Sequence, residues 1–351
     1  MNTTRSVLFA LLSIGFLAVS ANAQNADATE VEKLKAEIAR LKAELAPRPD
    51  DIDRLREEAG DFYDKGKYRE AKASMTRAYA AFERLEVKDK GKRVSYLRFL
   101  SNISNALQEN DKTIEYATEV AIHALTDADR GFAYGLLGSA YDYKGEYDKA
   151  IGYYDKSLAI SIKVLGGEHP SVGATYNNIG LAYSNKGEYD KAIGNCEKSL
   201  AIQLKTLGAE HPSVAASYNN IGGVYDKKGE YDKAIGYYEK SLAIKLKALG
   251  AEHPDIGLTY NNIGETHRAK GEYDKALGYL EKSLAIRLKT LGEEHPLVGA
   301  SYNNLGTVYK AKGDTTKAMA YLLKAKAIFV KKLGAQHPNT KNVQEWIDSL
   351  K

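Results

Sequence analysis

The dipeptide His-Pro stands at 169, 211, 253, 295 and 337, a constant interval of 42 residues. Glycine keeps the same register at 138, 180, 222, 264 and 306 and again at 145, 187, 229, 271 and 313, and alanine at 150, 192, 234, 276 and 318. A fixed period of this length marks a stack of like units, each completing its core against its neighbours. Counting closed domains from 351 residues therefore gives way to counting repeats. With 44% hydrophobic and 27% charged residues, the chain has enough apolar side chains to build such a core and is no disordered tail.

Within one unit the apolar spacing is helical. Tyr218, Ile221, Gly222 and Tyr225 fall at i, i+3, i+4 and i+7, one stripe of a first helix. Lys227-Lys228-Gly229 ends it, and a second helix from Tyr231 carries Ala234, Ile235, Tyr238, Leu242, Ile244 and Leu246 until Leu249-Gly250. Pro254 opens the next unit, where its missing amide hydrogen costs nothing. Two helices approach closely only across small side chains, so Gly222 is expected to face Ala234, with aromatic rings filling the wider gaps.

The pattern Tyr218-x-x-Ile221-Gly222-x-x-Tyr225, then Gly229, Tyr231 and Ala234, resembles the tetratricopeptide repeat. The paired Asn219-Asn220, the long second helix and Leu249-Gly250-Ala251-Glu252-His253-Pro254 look like the kinesin light chain subtype. The resemblance covers about residues 132 to 338. It implies an all-α, right-handed solenoid of antiparallel helix pairs, with five regular repeats over 131–338. Residues 51–130 read as two degenerate hairpins. The first keeps Gly66, Tyr68 and Ala71, and the second keeps only an apolar rhythm through Ile103, Leu107, Ile114 and Ile122. Residues 339–351, with Val343, Trp346, Ile347 and Leu350, read as a capping helix. His267 stands in a tyrosine position and Thr315 replaces Tyr231, so the seventh and last repeat is expected to pack more loosely.

Residues 1–23 read as a secretory signal: Arg5, the apolar run from Val7 to Val19, and small residues at Ala21 and Ala23, with cleavage after Ala23. As an uncleaved anchor the run falls short of the ~20 residues that span a bilayer, so no membrane span is expected in the mature chain. This places the chain in a bacterial periplasm or outside the cell. Residues 24–50 carry a heptad seam through Val31, Leu34, Ile38, Leu41 and Leu45, stopped by Pro47 and Pro49. About two heptads suit either weak self-association through residues 31–45 or a helix docked on the first hairpin.

Composition excludes several functions. The net charge is +4, and Lys alternates with Asp and Glu, so no basic block invites nucleic acid. The single cysteine, Cys196, replaces Tyr154 and Tyr238 of sister repeats and reads as a buried thiol. Repeated Glu-His pairs, such as Glu210-His211, tempt a metal reading. Stacked helices lie ~8 to 10 Å apart, however, whereas metal ligands converge within ~2 Å of one ion. Capping or packing beside proline is the preferred role, and neither metal nor cofactor is expected. No GxxxxGK[ST], HExxH or Gly-x-Ser-x-Gly is present, so no enzyme activity is expected.

What remains is a groove. In the family the first helix of each hairpin lines the concave face, and the residue three before the glycine points inward: Asn177, Asn219, Asn261 and Asn303. A primary amide both donates and accepts, so a row of them can pair with the backbone of an extended peptide, or with one another. Asn178, Asn220, Asn262 and Asn304, rotated ~100° around the helix, read as structural. Asp142, Ser184, Asp226, Arg268 and Lys310 complete the inward set. Their sign runs from acidic to basic, which suits a partner basic near the N-terminal repeats and acidic near the C-terminal ones. The expected function is an exported scaffold binding a protein or extended peptide. The alternative is a structural spacer of the bacterial envelope.

Overall fold

The computed structural model describes residues 49–85 and 89–350, so the export signal expected over 1–23 and the heptad seam expected over 31–45 lie outside the described residues. Fifteen α-helices make up these residues, with no strand among them. They group into two compact units, one up to Leu125 and one from Thr126.

In the first unit, α1 (Pro49–Asp64) pairs with α2 (Tyr68–Phe82) and α3 (Lys90–Ala106) with α4 (Asn110–His123), while α2 also packs on α3. Ile52, Leu55, Met75, Phe82, Tyr96, Leu100 and Ile103 form its core, against which Leu107 packs. The expected apolar rhythm fails at Ile122, which is 65% exposed. Helix α4 buries Thr113, Ala117 and Val120, and two residues past Val120 the helix has turned ~200° away from that face.

The second unit holds five hairpins: α5 (Asp127–Tyr143) with α6 (Tyr147–Leu165), α7 (Pro170–Lys186) with α8 (Tyr189–Leu207), α9 (Pro212–Lys228) with α10 (Tyr231–Leu249), α11 (Pro254–Lys270) with α12 (Tyr273–Leu291), and α13 (Pro296–Ala311) with α14 (Thr315–Leu333). Each second helix packs on the first helix of the next hairpin, and α15 (Pro338–Asp348) closes on α14. The core crosses from one repeat to the next: α8, α9, α10 and Ile263 of α11 share one cluster, and α12 shares another with α13.

The histidine of each His-Pro pair is the N-cap of the helix that follows it, the first helix of a hairpin in four cases and the closing α15 in the fifth. Its Nδ1 accepts the amide N–H two residues on, from Ser171, Ser213, Asp255, Leu297 and Asn339, at 3.1 to 3.2 Å. This satisfies one of the donors a helix start leaves open, while the proline occupies a position that needs none. Gly229 closes the same helix at φ 83°, a left-handed backbone that a side chain would oppose.

At the hairpin crossing, a Cβ on Gly222 would lie 2.8 Å from the Tyr238 ring and 3.2 Å from the Ala234 carbonyl. The expected contact with Ala234 is there, and the ring of Tyr238 lies over it as well. Cys196, Leu280 and Leu322 press on Gly180, Gly264 and Gly306 in the same way. Cys196 is 1% exposed, and burial pushes its thiol up to about 12, so it behaves as a small apolar residue. The looseness expected of the last hairpin is not found: Leu305, Val308, Ala318 and Leu322 are fully buried. Asp314 caps α14 by accepting the amide of Lys317, a bond the glutamates preceding the other second helices do not make.

Ion pairs lace the repeats. Lys186, Lys228 and Lys270, at the ends of first helices, reach back to Asp148, Asp190 and Asp232 of the preceding hairpin at 2.6 to 2.7 Å. Each also meets the glutamate that opens its own second helix. Hydrogen bonds from Lys270, Lys275 and His267 hold Glu272 down to about 2. Single exposed pairs contribute ~0 to 1 kcal/mol, so the ladder fixes register more than it adds stability.

Gly194, Gly236 and Gly278 sit inside second helices with ordinary backbone angles, and a Cβ there would meet nothing within 4 Å. Glycine inside a helix costs roughly 0.5 to 1 kcal/mol relative to alanine. Alanine at all three positions is expected to raise the thermal midpoint. A fall would show that the space is needed.

Candidate functional site

The first helices α7, α9, α11 and α13 run side by side in register, which brings their asparagines into one row. Asn177, Asn219, Asn261 and Asn303 are all half-buried. Asn220 donates its Nδ2 to Oδ1 of Asn177 at 2.9 Å, Asn262 to Asn219 at 3.2 Å, and Asn304 to Asn261 at 3.1 Å. The second asparagine of each repeat therefore grips the first of the repeat before it. Each bond uses one oxygen and one amide nitrogen. It leaves the Nδ2 of Asn177, Asn219 or Asn261 as donor and the Oδ1 of Asn220, Asn262 or Asn304 as acceptor at every junction. One N–H and one C=O is also what each residue of an extended peptide offers. The ladder ends at Asn303, whose Oδ1 is buried without a partner because Trp346 of α15 stands where a further asparagine would come.

The second row is more varied. Asp142 accepts from Asn185 at 3.4 Å, and Asn185 accepts from Lys227 at 3.2 Å, a relay across three repeats. Burial raises the carboxyl of Asp142 above its ordinary range. Ser184 is 4% exposed and offers almost no surface. The Oδ1 of Asp226 is buried without a hydrogen bond. Arg268 turns back onto Glu265 of its own helix with two bonds at 3.0 and 3.1 Å, to the same carboxylate oxygen. Lys310 donates to Ser349 at 2.6 Å and lies 4.5 Å over the Trp346 ring.

A third set escapes the sequence reading. Gln203, Lys245 and Arg287 extend from second helices to the first helix of the next repeat, bonding Ser217 at 2.9 Å, Thr259 at 3.0 Å and Ser301 at 2.7 Å. Arg287 also donates to the Leu297 carbonyl at 3.2 Å. Burial lowers the pKa of both cations. Their signal is a polar residue recurring every 42 positions on an apolar helix face. The tyrosines mostly serve packing: Tyr225 stacks on Tyr237 at 5.4 Å, with Lys233 and Lys240 over the rings.

The tetratricopeptide repeat family matches residues 129–193, 171–247 and 255–331, more than half of the chain. The chain is a tetratricopeptide repeat protein. No curated protein matches it. Among solved structures, the nearly identical TPR-like repeats of a kinesin light chain-type protein of Podosopora anserina are 32% identical, covering 57% of this chain and 95% of that one, with a TM-score of 0.52. BtubC (BKLC) from P. vanneervenii is 26% identical over 69% of this chain and 94% of that one, TM-score 0.55. A Rap protein complexed with competence and sporulation factor shares the fold at 15% identity, over 86% of this chain and 87% of that one, TM-score 0.54. The repeats of this tetratricopeptide protein thus resemble the kinesin light chain type, on a fold that serves as a protein-interaction scaffold.

Proposed function

We propose that this protein is an exported scaffold whose row of first helices binds an extended segment of a protein or peptide partner, without catalysis. The observation that carries the reading is the asparagine ladder, which presents one donor and one acceptor at each junction. An extended backbone can match that alternation whatever its side chains. Export rests on residues 1–23, which read as a signal with a cleavage site after Ala23 and point to a bacterial periplasm or the outside of the cell. Self-association through residues 31–45 remains tied to the heptad seam.

Replacing Asn219, Asn261 and Asn303 together with alanine tests the reading against the envelope-spacer alternative. The triple variant is expected to stay folded, with circular dichroism unchanged and a midpoint lowered by the loss of two inter-repeat bonds, each worth ~0.5 to 1.5 kcal/mol. In a pull-down from the native envelope it is expected to lose the partner that the parent retains. A folded variant that keeps the partner would remove the groove from the account.

A further inference from the structure

One repeat departs from its sisters on the ladder face. The position four residues past the first asparagine carries Leu181, Glu265 and Thr307 on α7, α11 and α13, and the corresponding residue of α5 is Ser139. On α9 it is Gly223. The side chain beneath differs in step. Tyr154 rises under Ser139 and is hydrogen-bonded to it. Tyr238, its counterpart, comes to 3.5 Å from where a Cβ on Gly223 would stand, and no serine is there to meet its hydroxyl. Tyr238 is 4% exposed, so packing holds its ring, and its hydroxyl lies next to the position where the glycine lacks a side chain. Asp226, three residues on along the same stripe, is close enough to act on the phenol, which burial and that carboxylate both push up, so that it stays an O–H.

Two carboxylate oxygens are buried acceptors without a hydrogen bond: Oδ1 of Asp226, and Oε1 of Glu265, which holds on α11 the ladder position that Gly223 holds on α9. Arg268 spends both of its bonds on the other oxygen of Glu265. A buried acceptor left unbonded is costly, and a turn of either carboxylate toward an incoming donor would relieve it. Lys227 does not fill this role, because its ammonium is held by Asn185. The notch lies one helical turn, ~6 Å, from the junction where Asn262 bonds Asn219. A residue whose backbone lies on that junction can drop its side chain into the gap.

We propose that the notch formed by Gly223, Tyr238 and Asp226 anchors a lysine or arginine side chain of the bound segment, with Glu265 as a second acceptor. This rests on the groove reading and names the side chain that the ladder alone leaves open. The Asp226 carboxylate supplies the charge, the phenol oxygen a neutral acceptor beside it, and the missing side chain the room.

Display of a random dodecapeptide library on the purified chain tests it, with Gly223→Ser, Asp226→Asn and the Asn219, Asn261, Asn303→Ala triple variant run in parallel. Gly223→Ser rebuilds the arrangement already present at Ser139 and Tyr154, so it is expected to fold. Selection on the parent is expected to enrich lysine or arginine at one position by about tenfold or more, and both notch variants are expected to erase that enrichment. Peptides that need the asparagines yet show no basic preference, or keep it with Gly223→Ser and Asp226→Asn, overturn the anchor while sparing the groove. A library that yields no asparagine-dependent binder overturns both.

Discussion

A chain carrying alanine in place of His169, His211, His253 and His295 is expected to unfold with about 4 kcal/mol less free energy than the parent, about 1 kcal/mol for each cap. Each of the four imidazoles accepts an amide hydrogen at the start of its helix. Alanine offers no acceptor, and the amide is left to compete for water. The sites are 42 residues apart and share no partners, so their effects should add. Asparagine is the informative control. It is among the best residues at an N-cap, so four His→Asn substitutions should recover most of the loss. Urea midpoints of the three chains decide the matter. A quadruple alanine chain as stable as the parent would mean that histidine recurs there for another reason.

Ala234→Leu is expected to cost about 1 to 3 kcal/mol. The Ala234 carbonyl and the Tyr238 ring already stand 3.2 and 2.8 Å from the Cβ position of Gly222. Three further carbons on Ala234, which is wholly buried, have no space to enter unless α9 and α10 separate. The cost should appear in the denaturation midpoint with little change in its slope, as befits a strained native state with the same exposed surface on unfolding. An unchanged midpoint would count against the packing of the hairpin.

The period and the helical stripes specify the hairpins because each is a local pattern. His211, Gly222, Gly229 and Ala234 each declare their place in one unit, and the structure gives each a cap, a crossing or a turn to match. What the sequence hides lies between units. That Asn262 bonds Asn219, 43 residues earlier, depends on how far one hairpin slides along the next, which no pattern within a repeat encodes. The inter-repeat roles of Lys245 and Arg287 are hidden for the same reason: helical periodicity gives a face, and only stacking shows which neighbour covers it. Ile122 misleads in the opposite sense, as an apolar residue falling on the water side of α4. Ser184 and Arg268 share one periodic position with Asp226, yet one is buried and the other folds back on Glu265, because side-chain fate depends on the residue beside it.

Site-specific photo-crosslinking asks most directly whether the asparagine face is where a partner lies. A photoreactive phenylalanine analogue replaces Asn261 on α11 in one chain and Gly236 on α10 in another. Both chains are irradiated in the native envelope. The account predicts a partner adduct from position 261 and none from position 236. Adducts from 236 alone, or equally from both, would contradict it.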